Sequence, residues 1–264
     1  MTTGALLATS GIDVAFGGVQ ALSKVTIEVA RGSITSLIGP NGAGKTTLFN
    51  VVSGFYRPLA GRVVFGGTDI TAMPSHQRAA AGLARTFQNI SLFRGMSVLD
   101  NIKLGAHTRL ASGVFSAGCY VGRAQREEIA LREELERDVI EFLEIDHIRK
   151  VEVSMLPYGL QKRVELARAL AMKPKLLLLD EPVAGMNREE TEDTARFILD
   201  IKEHWGATVL MVDHDMGVIM DISDQVWVLN FGEVIATGMP AQVQAESAVI
   251  EAYLGSDGAR QTAA

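Results

Sequence analysis

Nine consecutive residues constrain this chain more than any others: Gly39-Pro40-Asn41-Gly42-Ala43-Gly44-Lys45-Thr46-Thr47. They follow an apolar strand pattern, Ile34-Thr35-Ser36-Leu37-Ile38, and open a helical run from Lys45 towards Val52. Glycines let the backbone curl so that successive N–H groups point inward, and the following helix N-terminus adds positive potential. Such a strand-loop-helix is predicted to cradle phosphate. Lys45 would reach the β- and γ-phosphates of a nucleotide, and the Thr46 hydroxyl would ligate Mg²⁺. A glycine-rich turn with an incidental lysine has the same composition, but the flanking strand and helix favour the cradle.

The stretches before and after the loop read as α/β. Alternating apolar positions predict strands at Ile12–Phe16 and around Val25–Val29, with a turn at Gly17-Gly18. Phe16 would either stack on an adenine ring or fill a core. Gly61–Gly67 reads as a strand and turn, Pro74-Ser75 opens a short helix through Ala81, and residues 83–88 run extended into Gln88. Residues 110–122 are rich in small residues and predict a mobile loop. Arg123–Glu144 is charged, with Ile129, Leu135, Val139 and Phe142 at helical spacing and i,i+4 pairs Glu128–Arg132 and Glu133–Arg137. That charge run reads as a solvated helix face. A helix is predicted over Lys162–Met172. Next come a buried strand ending at Asp180-Glu181, a helix Arg188–His204 capped by Asn187 and Glu190, and a buried strand Thr208–Val212 ending at Asp213-His214. Late strands follow at Gln225–Leu229 and Glu233–Ala236, and the last residues from Gly255 read as a frayed tail.

Composition narrows the partners. With 264 residues, 47% hydrophobic, 21% charged and a net charge of −6, the chain reads as an ordinary globular protein with no general attraction to nucleic acid. The single cysteine, Cys119, forbids an intrachain disulfide and fits a reducing compartment. No signal peptide is expected from Met1–Ala8, and no apolar run approaches the ~20 residues of a membrane helix. Any membrane association is expected to come through a partner.

In a parallel sheet the C-terminal strand ends face one crevice, so the loop, Asp180, Glu181 and His214 should converge. Asp180 is placed to hold Mg²⁺, Glu181 to act as base for the attacking water, and His214 to bond the γ-phosphate.

These residues resemble the ATPase subunits of ABC transporters, in the family's order and over nearly the whole chain. Gly39–Thr47 resembles the Walker A motif, Leu176–Glu181 the Walker B motif with its glutamate, Gln88 the Q-loop, Ala184–Asn187 the D-loop and His214 the switch histidine. The resemblance implies a P-loop NTPase (RecA-like) core with an N-terminal antiparallel β subdomain and an inserted α-helical subdomain. One domain would span 1–254, with 1–88 and 157–254 as core and β subdomain, 89–156 as the helical insertion and 255–264 as the tail. It also implies ATP and Mg²⁺ as cofactors, with catalytic roles for Glu181, His214 and Gln88, and Thr46, Gln88 and Asp180 near the metal. Two cassettes would pair head-to-tail, with ATP between one Walker A loop and the partner's signature. Here that signature departs from Leu-Ser-Gly-Gly-Gln and reads Leu156-Pro157-Tyr158-Gly159-Leu160. Pro157 offers no N–H, so a weaker contact through Tyr158 and Gly159 is expected.

Phe16–Leu22, Tyr158-Gly159, Asp213–Asp224 and Ala252–Gly255 are similar to the ATPase subunits of branched-chain amino-acid importers; those of urea and short-amide importers are closely similar. That resemblance implies two membrane permease subunits, docked in part by residues 89–102, and a solute-binding protein acting indirectly, at the cytoplasmic face of the membrane. A soluble ABC ATPase of translation or DNA repair is the competing class, disfavoured by one cassette, no long coiled coil and no basic footprint. A GTPase is disfavoured because no Asn-Lys-x-Asp motif is present.

Overall fold

The computed structural model describes residues 4–86, 90–109 and 123–253. Strand β1 (Ala5–Phe16) begins well before Ile12, because Leu6, Leu7 and Ala8 are buried in the same core. It turns at Gly17-Gly18 into β2 (Val19–Val25), with Phe16 opposite Val19. The expected strand around Val25–Val29 is instead a crossing between strands. β2 ends at Val25, and β3 (Glu28–Ala30) pairs with the first half of β1. Thr9 bridges that break: its N–H donates to the Ile27 carbonyl at 2.9 Å, and its hydroxyl oxygen accepts from Ile27 N–H at 3.0 Å.

Strand β4 (Ile34–Ile38) leads through the glycine loop into α1 (Lys45–Ser53). β5 (Ala60–Phe65) and β6 (Thr68–Asp69) complete an antiparallel sheet in the order β2-β1-β5-β6. After α2 (Ser75–Ala80), β7 (Leu83–Arg85) enters a second sheet. Two helices follow in the described residues, α3 (Val98–Gly105) and α4 (Arg123–Leu135), the latter running into a π-helical turn at Glu136–Ile140. Then come α5 (Tyr158–Leu170), β8 (Leu176–Asp180), α6 (Arg188–Trp205), β9 (Thr208–Val212), α7 (Met216–Ile222), β10 (Gln225–Asn230), β11 (Glu233–Gly238) and α8 (Pro240–Gln244). The second sheet has the order β11-β10-β4-β9-β8-β7, parallel except for β11. This is the P-loop NTPase architecture with an antiparallel sheet laid against it.

The continuous apolar runs are explained by burial on both faces. In β8, Leu176 and Leu178 join the cluster shared with β1, β5 and α1, while Leu177 and Leu179 join the cluster formed by the helices on the other side. β9 repeats this, with Leu210 and Val212 on one face and Val209 and Met211 on the other. Truncating one of these leucines to alanine is expected to cost about 2–5 kcal/mol. Val98, Ile102, Leu135 and Val139 belong to the same cluster as Leu177 and Leu179, so α3, α4 and the π-helical turn share an apolar core with the sheet.

Two helix expectations change. α5 starts at Tyr158 rather than Lys162 and ends at Leu170, because Pro157 sits comfortably at the helix entrance and its carbonyl accepts the first ladder bond from Gln161 N–H at 3.1 Å. The ion pairs of α4 are also not the expected ones. Lys103 reaches Glu128 at 2.6 Å from α3, Arg132 reaches forward to Glu136 at 3.1 Å, and Arg137 pairs with Asp138 at 2.7 Å. Glu128 is taken by Lys103, and Arg132 keeps an i,i+4 spacing but with Glu136. Of the residues in the expected pairs, Arg137 alone lies within the π-helical turn, where ideal neighbours shift. The Asn187–Glu190 capping box forms as expected, with both bonds at 3.0 Å. Among the described residues no helix is long and apolar enough to cross a membrane.

Candidate nucleotide site

β4, β9 and β8 are neighbours in the parallel sheet, so the loops at their C-terminal ends meet along one edge. A cleft there is lined by Ala21, residues 41–47, Glu181 and Val212. Gly39 and Gly44 are dictated by geometry. Gly39 has φ 148°, and a Cβ on it would lie 2.0 Å from the Leu229 carbonyl oxygen; Gly44 has φ 103°, with a Cβ position 2.7 Å from the Ala21 carbonyl oxygen. Ala43 is tied on both sides: its N–H donates to Pro40 O at 3.1 Å, and its carbonyl accepts from Gly232 N–H at 3.0 Å.

α1 begins at this loop without a side-chain cap and without an acidic residue in its first turn. Its leading N–H groups are therefore left for an anion. Lys45 folds back over the loop, donating to Gly39 O at 2.6 Å and Pro40 O at 3.0 Å. Burial pushes the Lys45 ammonium below its ordinary pKa, while the nearby Glu181 and Asp180 carboxylates pull the other way. An arriving phosphate would offset that penalty by placing negative charge beside the ammonium.

Asp180, at the end of β8, is buried and ion-paired with Arg85 at 2.9 Å. Glu181 follows with φ 50°, a left-handed conformation unusual for a branched or long side chain, and its N–H donates to Val212 O at 2.8 Å. That turn brings Glu181 to the cleft wall. At the end of β9 the buried Asp213 carboxylate accepts the N–H groups of His214 at 2.7 Å and Asp215 at 3.0 Å. The turn so formed leaves the His214 side chain 72% exposed. Of the three expected strand-end residues, Glu181 lines the cleft while Asp180 and His214 lie outside its lining. Phe16 is half exposed and meets Tyr56 edge-on at 5.2 Å between ring centroids; it is not a core residue. Gln88 lies outside the described residues.

The Tyr158-Gly159 element occupies the first turn of α5. A Cβ on Gly159 would lie 2.3 Å from Glu190 Oε1, so the glycine makes room for that carboxylate. The Tyr158 ring lies over Gly185, and Lys162 donates to the Glu181 carbonyl at 3.3 Å. Sequence reasoning missed Arg85, Asn50, Asp213 and Lys162. Arg85 stands in a three-residue strand with no periodicity to mark it. Asp213 carried a signal that could have been read, since an aspartate at a strand end often closes the following turn through its own carboxylate.

A glycine cradle, an uncapped helix N-terminus and a strand-end Asp-Glu pair on one sheet edge define a P-loop nucleoside triphosphatase. Comparison with known proteins narrows this. The ABC transporter family model matches residues 22–184, and that of the branched-chain amino acid ATP-binding cassette transporter matches residues 233–259. The high-affinity branched-chain amino acid transport ATP-binding protein LivG of Escherichia coli K12 is 39% identical over 254 residues, covering 95% of this chain and 98% of LivG. BraF of Pseudomonas aeruginosa, which carries the same description, is 38% identical over 250 residues, covering 95% and 98%. The crystal structure of the ADP conformation of MJ1267, an ATP-binding cassette of an ABC transporter, superimposes with a TM-score of 0.83 at 33% identity, covering 96% of this chain and all of that one. The chain belongs to the ABC transporter family, as one of its ATP-hydrolysing cassettes.

Proposed function

We propose that this chain is the ATP-hydrolysing motor subunit of an importer for branched-chain amino acids. The cleft carries the ATPase half of that reading: the Lys45 cradle with Glu181 on its wall holds phosphates on one side and a general base on the other. The 233–259 match and the named relatives support the solute class. A urea or short-amide importer is the alternative.

The residues fit Mg²⁺ in their chemistry. The Thr46 hydroxyl on α1 and the Asp180 carboxylate at the end of β8 are hard oxygen donors, and among the described residues no cluster of three His, Cys, Asp or Glu forms a cage. Such a site suits an ion held largely by phosphate and water. Bound there, Mg²⁺ would supply charge neutralisation to the β- and γ-phosphates.

This chain's own residues then divide the work. Residues 39–47 bind the phosphates through backbone N–H groups, and Lys45 transfers its bonds from Gly39 O and Pro40 O to phosphate oxygens. Glu181 takes the proton of the attacking water, and His214 fixes the γ-phosphate geometry. Gln88 would report on the γ-phosphate and metal. The Tyr158-Gly159 end of α5 would close over a second cassette's nucleotide in a head-to-tail pair. Closure would pass to two permease subunits through the surface near Phe93 and Met96, both well exposed, and place the chain at the cytoplasmic face of the membrane.

The test is purification from gently solubilised native membranes, followed by ATPase assays of the recovered complex. Two polytopic subunits and a leucine-, isoleucine- or valine-binding protein that stimulates hydrolysis are expected. Stimulation by a urea-binding protein instead would replace the solute, and recovery solely from cytosol would overturn the transport reading.

A further inference from the structure

Asp180 is the buried carboxylate to which the proposed function gives the metal, and one side chain orients it. The Arg85 guanidinium, from the end of β7, donates through Nη2 to Asp180 Oδ2 at 2.9 Å. Its Nη1 donates to Asn50 Oδ1 at 2.7 Å and Ser53 Oγ at 2.8 Å, both on α1. The Phe49 and Phe55 rings flank the guanidinium, with centroids 5.8 and 5.7 Å from its central carbon. One planar fork therefore joins three elements: the strand that ends in Asp180, the edge strand beside it, and the helix that begins with Lys45 and Thr46.

We propose that Arg85 is the positioning residue of the metal-phosphate site: it fixes the Asp180 carboxylate relative to α1, and so relative to Thr46, through a link that no backbone bond supplies. The inference rests on the reading of Asp180 as the metal-side carboxylate. The packing supports orientation rather than simple charge balance. A carboxylate that only needed a counter-charge could take a mobile lysine, whereas a fork held by two acceptors and two rings fixes the direction of the donor. Oδ2 is turned towards Arg85, which leaves the direction of Oδ1 determined by the same bond. Arg85 acts through Asp180, with Asn50 and Ser53 as its anchors on α1.

The test measures metal and nucleotide binding separately, in the full chain with ADP so that no turnover is needed. Mn²⁺ binding to the ADP complex is followed by electron paramagnetic resonance, metal-free ADP affinity by fluorescence titration, and folding by thermal melting. Arg85→Gln is expected to weaken Mn²⁺ binding by about tenfold or more, as loss of an orienting partner commonly does, while metal-free ADP affinity stays within about twofold. Arg85→Lys should recover part of the Mn²⁺ affinity. Asn50→Ala keeps the ion pair but releases one anchor, and should cost about threefold in Mn²⁺ affinity, giving a reading even if Arg85→Gln fails to fold. Equal losses with and without metal, accompanied by a lowered melting temperature, would reduce Arg85 to a strut and overturn the proposal. Asp180→Asn separates the two layers of inference. If it weakens Mn²⁺ binding and the Arg85 and Asn50 variants do not, the positioning role is wrong; if it too leaves Mn²⁺ binding unchanged, the assignment of Asp180 to the metal is wrong.

Discussion

Helix α1 and helix α5 both begin without a side-chain cap and without an acidic residue in the first turn, yet they are finished differently. At α1, the glycine cradle, Lys45 and Glu181 all come from one chain and face one cleft. At α5 the entrance residue is Pro157, Tyr158 stands half exposed, and the carboxylate of Glu190 lies against Gly159. A helix N-terminus is a generic attraction for negative charge; what turns it into a binding site is the cation and backbone curl around it. α1 has both, whereas α5 opens on Pro157 with no such curl around it.

The largest change should come from the chemistry at the α1 side. Glu181→Gln is expected to slow ATP hydrolysis by ~10²–10⁴ while nucleotide still binds, checked by phosphate release against a binding titration; undiminished turnover would move the base elsewhere. Lys45→Ala should weaken nucleotide binding by about 1.5–3 kcal/mol, read by calorimetry. The same lysine carries a sign that separates binding from folding. Its pKa is lowered by burial, so the folded protein loses that proton before the unfolded chain does. The stability of the nucleotide-free protein should therefore rise as pH climbs towards the ordinary lysine value of 10.5, and Lys45→Met should abolish that rise in urea titrations across the alkaline range.

Glycine replacements sharpen the contrast in stability. Gly44→Ala forces a Cβ against the Ala21 backbone at positive φ and should cost about 1–3 kcal/mol. Gly159→Ala meets only the flexible end of Glu190, and should cost below about 1 kcal/mol; equal melting temperatures for the two variants would erase the distinction between cradle and open turn. The smallest effect is expected from Glu190→Gln. It retains the capping-box geometry but removes the negative charge at the start of α5, so ATP-driven cassette pairing should tighten by about two- to fivefold in sedimentation.

Most of the fold was legible because the decisive signals are local. The Leu176–Leu179 run, the Asn187–Glu190 box and the glycine loop each encode their element within a few residues. The start of β1 was missed since Thr9 and Ser10 interrupt the apolar alternation, and the chain compensates through the Thr9–Ile27 bonds, which are long-range. The residues that hold the site together were hidden for the same reason. Arg85 meets Asn50 across 35 positions and Asp180 across 95, separations that no spacing rule reaches. The start of α5 was hidden differently: the helix was expected only from Lys162, although proline at an entrance and glycine under a carboxylate are both compatible with a start at Tyr158.

The alternation of Leu176 to Leu179 has a consequence for how the molecule comes apart. Successive residues of one strand floor two separate apolar compartments, so neither compartment can melt and leave the other its wall. Denaturant should find no half-molten species with one layer intact. The layers are expected to be lost together, as a single urea transition whose steepness reflects the surface of both, and a lesion in β8 should shift that midpoint without splitting the curve.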